Sequence, residues 1–105
     1  MLENEYKTKL CARIKREFPK AIVLHLDPNE IQGIPDLIVL YKHYWMTLEG
    51  KKAFNSPKRP NQEYYVKLMN NMSFSKFVYP ENEEQVLEEM HLWIDEMERR
   101  YGDEI

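Results

Sequence analysis

The sequence predicts a single small α/β domain over residues 1–105, with the element order αβββαβα and a central mixed sheet of about four strands flanked by helices. Three observations support this fold class. Helical periodicity marks both ends of the chain and one middle segment, short apolar runs mark the strands, and two of those runs are separated by only two residues. A chain of 105 residues with 43% hydrophobic side chains is sufficient for one core.

The first two elements are a helix and a strand. Residues 3–18 carry apolar side chains at a spacing of four, which predicts an amphipathic helix that Pro19 ends. The apolar stripe of this helix consists of Tyr6, Leu10, Ile14 and Phe18. The apolar run at residues 21–27 predicts a buried strand, and a loop follows as far as Gly33.

The next two strands are predicted to form a hairpin. Residues 36–41 and 44–49 are both rich in β-branched, aromatic and aliphatic side chains, and only Lys42 and His43 separate them. The turn lacks the Gly or Asn that two-residue hairpin loops favour, so a longer loop with a shifted register is the alternative.

The two-residue turn brings three charged residues to one end of the hairpin. Asp36 then lies directly opposite Glu49, and Lys51 points to the same side as Glu49 because side chains alternate along a strand. Two facing carboxylates destabilise a sheet and raise one pKa, unless a cation or a proton lies between them. A divalent metal would resolve this conflict. The alternative is a polar strand start and an exposed ion pair at a strand end.

The second half of the chain is predicted to contain a helix, a strand and a helix. After the proline-containing segment 55–61, Asn61 is the predicted cap of a helix that reaches about Asn71. Residues 74–80 predict a short strand, and residues 81–101 predict a long helix with one apolar and one acidic face. The predicted buried side chains of these two helices are Tyr65, Leu68 and Met69, then Val86, Leu87, Met90, Trp93, Ile94 and Met97.

Charge is distributed unevenly along the chain. The net charge is −3, yet acids predominate in residues 81–105, whereas the first eighty residues carry an excess of lysine and arginine. After the hairpin, Lys51, Lys52, Lys58 and Arg59 occur without an intervening acid, which suits a phosphate backbone beside the carboxylates. A solvated loop whose lysines serve solubility is the alternative.

The sequence predicts a cytoplasmic protein with no membrane partner. No apolar run reaches the roughly 20 residues that cross a bilayer, and the start MLENEYKTKL lacks the apolar segment of a secretion signal. The lone Cys11 cannot form an internal disulfide, which fits a reducing compartment and a small core residue. If a phage encodes the protein, the compartment is the host cytoplasm.

Three segments, GIPDLIVL, TLEGKK and RPNQEYY, resemble in this order the signature segments of the PD-(D/E)XK nuclease superfamily. Within it, the chain resembles the virus-type replication-repair nuclease (VRR-NUC) domains over nearly its whole length. This resemblance implies a restriction-endonuclease-like core and a metal-dependent DNA endonuclease that hydrolyses phosphodiester bonds in replication, recombination or repair. Such an enzyme would be structure-selective or nicking, with branched DNA among its substrates.

The resemblance also implies a set of metal ligands. Asp36 and Glu49 would bind Mg²⁺ or Mn²⁺ together with the backbone carbonyl of Gly50, and oxygen ligands of this kind suit both ions. A glutamate on the first helix would complete the site, with Glu5 as the first candidate and Glu3 as the alternative. Gly50 departs from the family pattern, which more usually has a side chain at this position.

Two further residues would act on the reaction itself. Lys51 would orient or help deprotonate the attacking water and stabilise the developing negative charge. Gln62 would lie at the start of the next helix, close to the site. The implied catalytic residues are Asp36, Glu49, Lys51 and Gln62, and the implied DNA contacts are Lys51, Lys52, Lys58 and Arg59.

Two alternatives remain open for the function. The first is a nucleic-acid or protein interaction module on the same fold that does not cleave, although such a module would not need all three charges together. The second is a small regulatory protein that uses its acidic last helix as a docking surface. That helix is also long enough to pack against a second copy, so we expect a homodimer.

Overall fold

The computed structural model describes residues 1–102 and has the predicted element order αβββαβα. Its helices are α1 (Glu3–Glu17), α2 (Pro60–Met72) and α3 (Glu83–Tyr101), and its strands are β1 (Ile22–His25), β2 (Leu37–Tyr41), β3 (Tyr44–Gly50) and β4 (Ser75–Val78). The strands form one sheet in the order β1-β2-β3-β4, in which β1, β2 and β3 are antiparallel neighbours and β4 runs parallel to β3. The predicted mixed four-stranded sheet is therefore confirmed.

The β2–β3 hairpin has the register that the two-residue turn predicts. Lys42 and His43 form the turn, and Leu37 pairs with Leu48 at its far end. Lys42 has a φ of 55°, which non-glycine residues seldom adopt. Its ammonium lies 2.9 Å from a carboxylate oxygen of Glu98 in α3, so a contact from outside the hairpin stabilises a turn that contains no glycine.

The hydrophobic core lies between one face of the sheet and the helices α1 and α3. Its buried members are Tyr6, Leu10, Cys11, Ile14, Phe18, Leu37, Val39, Met46, Leu48, Phe74, Val78, Val86, Leu87, Met90 and Ile94. The predicted stripe of α1 is therefore buried together with Cys11. The predicted apolar face of α3 also faces the core, with Trp93 and Met97 half-buried at its rim. Within residues 1–102, no helix is both long and apolar enough to span a bilayer.

The opposite face of the sheet is covered only in part. Helix α2 packs on β3 and β4, and its buried residue is Val66. Leu68 is 39% exposed, so its predicted place on the buried side is wrong, whereas Tyr65 and Met69 are half-buried. Helix α2 packs at the edge of the sheet that β4 forms, where Val66 faces the strands and more than half of the helix residues are exposed.

Strand β1 is an exposed edge strand, so the prediction of a buried strand here is wrong. Ile22 and Leu24 are 59% and 49% exposed. Both side chains point to the face of the sheet on which α2 packs. Helix α2 covers only β3 and β4 at the opposite edge, so this face of β1 is left uncovered by it. Val23, on the opposite face, packs against the core.

Helix α2 begins two residues earlier than the sequence predicts, with Pro60 in the first turn and Arg59, rather than Asn61, before it. Proline suits this position because its missing N–H would have no partner in the helix. The Gln62 side chain accepts a hydrogen bond from the Arg59 N–H at 3.1 Å, so Asn61 is not the cap. Asn61 instead packs on Gly33, where an added Cβ would lie 2.8 Å from the Asn61 Cβ.

Candidate active site

The ends of β2 and β3 bring the two predicted carboxylates together. Because Leu37 pairs with Leu48, Asp36 directly precedes β2 beside Glu49 of β3. One carboxylate oxygen of Asp36, Oδ2, accepts a hydrogen bond from the Gly50 N–H at 3.0 Å. This bond holds the Asp36 side chain against the end of β3.

An ammonium from α1 lies between these carboxylates. Lys7 Nζ is 3.0 Å from Asp36 Oδ1, 3.6 Å from Glu49 Oε2 and 3.6 Å from Glu3 Oε2. Sequence reasoning missed Lys7, because a lysine four residues after a glutamate predicts only an ordinary ion pair along a helix.

The two glutamates considered on α1 differ in their position. Glu3 is joined to the carboxylate pair through Lys7, whereas Glu5 is exposed and makes no ion pair with the other described residues of the site. Two residues along an α-helix correspond to a rotation of about 200°, so Glu5 points away from the face that carries Lys7. The structure therefore brings the alternative, Glu3, to the site and leaves Glu5 outside it.

Burial distinguishes the two acids. The Glu49 side chain is 2% exposed and that of Asp36 is 25% exposed. Burial raises the pKa of Glu49 from 4.5 to about 8; the negative charge of Asp36 adds to this rise, and the positive charge of Lys7 opposes it. A carboxyl group of this kind holds a proton or binds a cation near neutral pH.

The raised pKa of Glu49 predicts that the metal-free protein loses stability as the pH rises. The unfolded chain releases the Glu49 proton near pH 4.5, whereas the folded protein holds it up to about pH 8. In this window the folded state binds more protons, so the free energy of unfolding falls with increasing pH. The Glu49→Gln variant should lack this loss, which is on the order of a few kcal/mol across the window.

Chemical denaturation in EDTA at pH values from below 5 to above 8 measures the free energy of unfolding of the wild type and of Glu49→Gln. Glu63→Gln, which changes an exposed glutamate of α2, is the matched control and should follow the wild type. If the free energies of unfolding of the wild type and Glu49→Gln differ by the same amount at every pH in this range, the prediction is wrong.

Gln62 connects the buried carboxylate to Lys51. Its Oε1 accepts a hydrogen bond from Lys51 Nζ at 2.9 Å, and its Nε2 lies 3.5 Å from Glu49 Oε2. Lys51 is only 5% exposed, and its backbone N–H donates a hydrogen bond to the backbone carbonyl of Val78 in β4. Lys52, the next residue in the loop after β3, is exposed, so the structure separates a lysine inside the site from one outside it.

The remaining predicted DNA contacts lie in the loop that leads into α2. Lys58 Nζ lies 5.3 Å from the ring centre of Phe77 and 5.7 Å from that of Tyr79, both at the end of β4. Arg59 is exposed and directly precedes α2, where its N–H binds Gln62. The positive loop therefore lies beside Gln62, at the end of the sheet that carries the carboxylates.

The donor set at this end of the sheet fits a hard divalent ion. Asp36 and Glu49 offer carboxylate oxygens, which Mg²⁺ and Mn²⁺ prefer, and the Lys7 ammonium shows that a positive charge is accommodated between them. Among residues 1–102, no three His, Cys, Asp or Glu side chains are grouped so as to hold a metal. Two carboxylates are nevertheless sufficient for Mg²⁺, because this ion usually keeps several water ligands.

Comparison with known proteins relates the chain to one fold. A solved structure described as a VRR_NUC domain protein superimposes with a TM-score of 0.65 over 90% of this chain and 89% of that chain, at 19% sequence identity. At this level of identity the similarity shows a common fold. No protein-family model matches the sequence, and no curated protein matches it.

Proposed function

We propose that this protein is a metal-dependent DNA endonuclease of the VRR-NUC type within the PD-(D/E)XK superfamily. The observation that carries the proposal is the cluster at the ends of β2 and β3. There Asp36 and Glu49 lie together, and Gln62 bridges Glu49 to Lys51. The similarity in fold to a VRR_NUC domain protein supports it.

In this proposal the carboxylates of Asp36 and Glu49 hold Mg²⁺ or Mn²⁺, together with the carbonyl of Gly50. When bound, the ion supplies a Lewis acid for the scissile phosphate and a water molecule of lowered pKa. The Glu49 side chain is only 2% exposed, and electrostatic interactions are stronger at a group of such low exposure than in bulk water.

Lys51 acts on the phosphate in this proposal, and Gln62 positions it. One N–H of the Lys51 ammonium is used by Gln62 Oε1, which leaves two donors for the developing negative charge and for the attacking water. Gln62 is itself fixed by its bond to the Arg59 N–H at the start of α2.

DNA is the proposed partner because Lys51 is linked to Glu49 through Gln62 and further basic residues follow it in the loop before α2. Lys51 and the loop residues Lys52, Lys58 and Arg59 provide the positive charge that a phosphate backbone requires. A chain of 105 residues offers little surface for reading bases, so selectivity for branched or nicked DNA would come from DNA shape, from a dimer or from a partner. The homodimer and the cytoplasmic location stay predictions, and light scattering of the pure protein measures the first.

Cleavage assays test the proposed function. The pure protein is incubated with supercoiled, single-stranded and four-way-junction DNA, with Mg²⁺, Mn²⁺ or EDTA. We expect cleavage with either metal and none in EDTA, because the carboxylates alone provide no Lewis acid. Cleavage at full rate in EDTA would contradict the metal dependence. Binding without cleavage of any substrate would favour the interaction module on the same fold.

A further inference from the structure

We propose that Lys7 of α1 is an internal counter-ion that occupies the cation position between Asp36 and Glu49 and competes with the divalent metal for it. This inference rests on the proposed function, since it concerns the same carboxylate pair. It adds a residue that lies outside the three segments on which the nuclease resemblance depends.

The first support is the position of the Lys7 ammonium. It lies 3.0 Å from Asp36 and 3.6 Å from Glu49, so one charge contacts both carboxylates on which the proposed metal site depends. The Lys7 side chain is only 23% exposed. An ion pair this well shielded from water is stronger than one on an open helix surface.

The second support is the path of the Lys7 side chain. A Cβ added at Gly50 would lie 3.1 Å from Lys7 Cγ, which is tighter than an ordinary van der Waals contact. The absence of a side chain at Gly50 therefore makes room for the stem of Lys7 as it passes over the end of β3. In this proposal, the glycine that departs from the family pattern between Glu49 and Lys51 leaves this space to Lys7.

Competition follows from the charges. Two adjacent carboxylates of low exposure require a positive charge nearby, and Lys7 provides one when no metal is bound. A divalent ion at the same oxygens would repel the ammonium at close range, so the ammonium must leave when the ion binds. Glu3, one helical turn earlier and 3.6 Å away, offers Lys7 an alternative partner.

Calorimetric titration with Mn²⁺ tests the competition directly, without DNA and without turnover. Lys7→Met keeps most of the apolar stem of the side chain but removes the ammonium group and its charge. This variant should bind Mn²⁺ about tenfold more tightly than the wild type, because the positive charge that opposes the ion has been removed. In EDTA at pH 8 it should unfold at a lower temperature, because the acid pair has lost its counter-ion.

Lys9→Met is the matched control. Lys9 lies on the same helix and is exposed, and its replacement changes the net charge of the protein by the same amount. It should bind Mn²⁺ as the wild type does. Lys7→Gln, which retains a neutral hydrogen-bond donor for Asp36, replaces Lys7→Met if the latter does not fold, and it should also bind Mn²⁺ more tightly.

The outcomes separate this inference from the proposed function. Tighter Mn²⁺ binding by the Lys7 variants, but not by Lys9→Met, supports the inference. If the wild type binds Mn²⁺ and cleaves DNA while the Lys7 variants bind Mn²⁺ equally or more weakly, the inference is wrong and the proposed function stands. If none of these proteins binds Mn²⁺, the proposed metal site is wrong and the inference fails with it.

Discussion

The Asp36→Asn variant should remain folded, and its rate of DNA cleavage should fall by at least about a hundredfold. This is the scale of loss seen when one group that stabilises the transition state electrostatically is removed. An amide is neutral and offers one oxygen, so it is a far poorer ligand for Mg²⁺ than a carboxylate. The loss should appear with both Mg²⁺ and Mn²⁺, because both ions depend on the same oxygens.

The effect of Asp36→Asn on stability should be small, because two changes oppose each other. The carboxylate of Asp36 accepts bonds from the Gly50 N–H and from Lys7 Nζ, and an amide oxygen can replace only one of these acceptors. The variant also removes the negative charge beside Glu49, one cause of its raised pKa.

Single-turnover cleavage and thermal unfolding in EDTA together measure this prediction. Asp27→Asn is the control, since Asp27 lies in the loop after β1 and its carboxylate accepts a local bond from the Asn29 N–H at 2.8 Å. Full activity in a folded Asp36→Asn protein would show that Asp36 is not a metal ligand.

The Lys51→Met variant should lose on the order of 10² in cleavage rate, while its affinity for DNA in Ca²⁺ falls only slightly. If Lys51 stabilises charge that develops only during attack on phosphorus, its contribution is larger in the transition state than in the bound substrate. Methionine keeps the volume of the lysine stem, which matters because Lys51 is only 5% exposed. It also removes the donor to Gln62 Oε1.

Lys52→Met is the control for this prediction, because it removes the same charge from the next residue. Lys52 is exposed and lies in the loop after the end of β3, so this variant should keep most of the cleavage rate and lose at most some affinity for DNA. Single-turnover rates and binding in Ca²⁺ are compared for both variants. If Lys52→Met is inactive and Lys51→Met active, the proposed role of Lys51 is wrong.

The geometry of the candidate site could be predicted from sequence where it depends on one hairpin. Asp36 and Glu49 meet because a two-residue turn and a period of two place them opposite each other. Lys51 is buried and Lys52 exposed, as the same period predicts, although both residues follow the end of β3. Lys7 could not be predicted in this way. It reaches the pair across the contact between α1 and the sheet, and no local pattern specifies which face of a helix meets which strand.

The sequence by itself determined which segments form helices and strands and their order along the chain. It also determined the hairpin and which faces of α1 and α3 are apolar. Only the tertiary structure decided what covers each element. The apolar residues Ile22 and Leu24 are exposed because β1 is an edge strand, and Leu68 is exposed because α2 presents Val66 to the sheet. The physical reason is that periodicity is a property of one segment, whereas burial depends on the neighbours that pack against it.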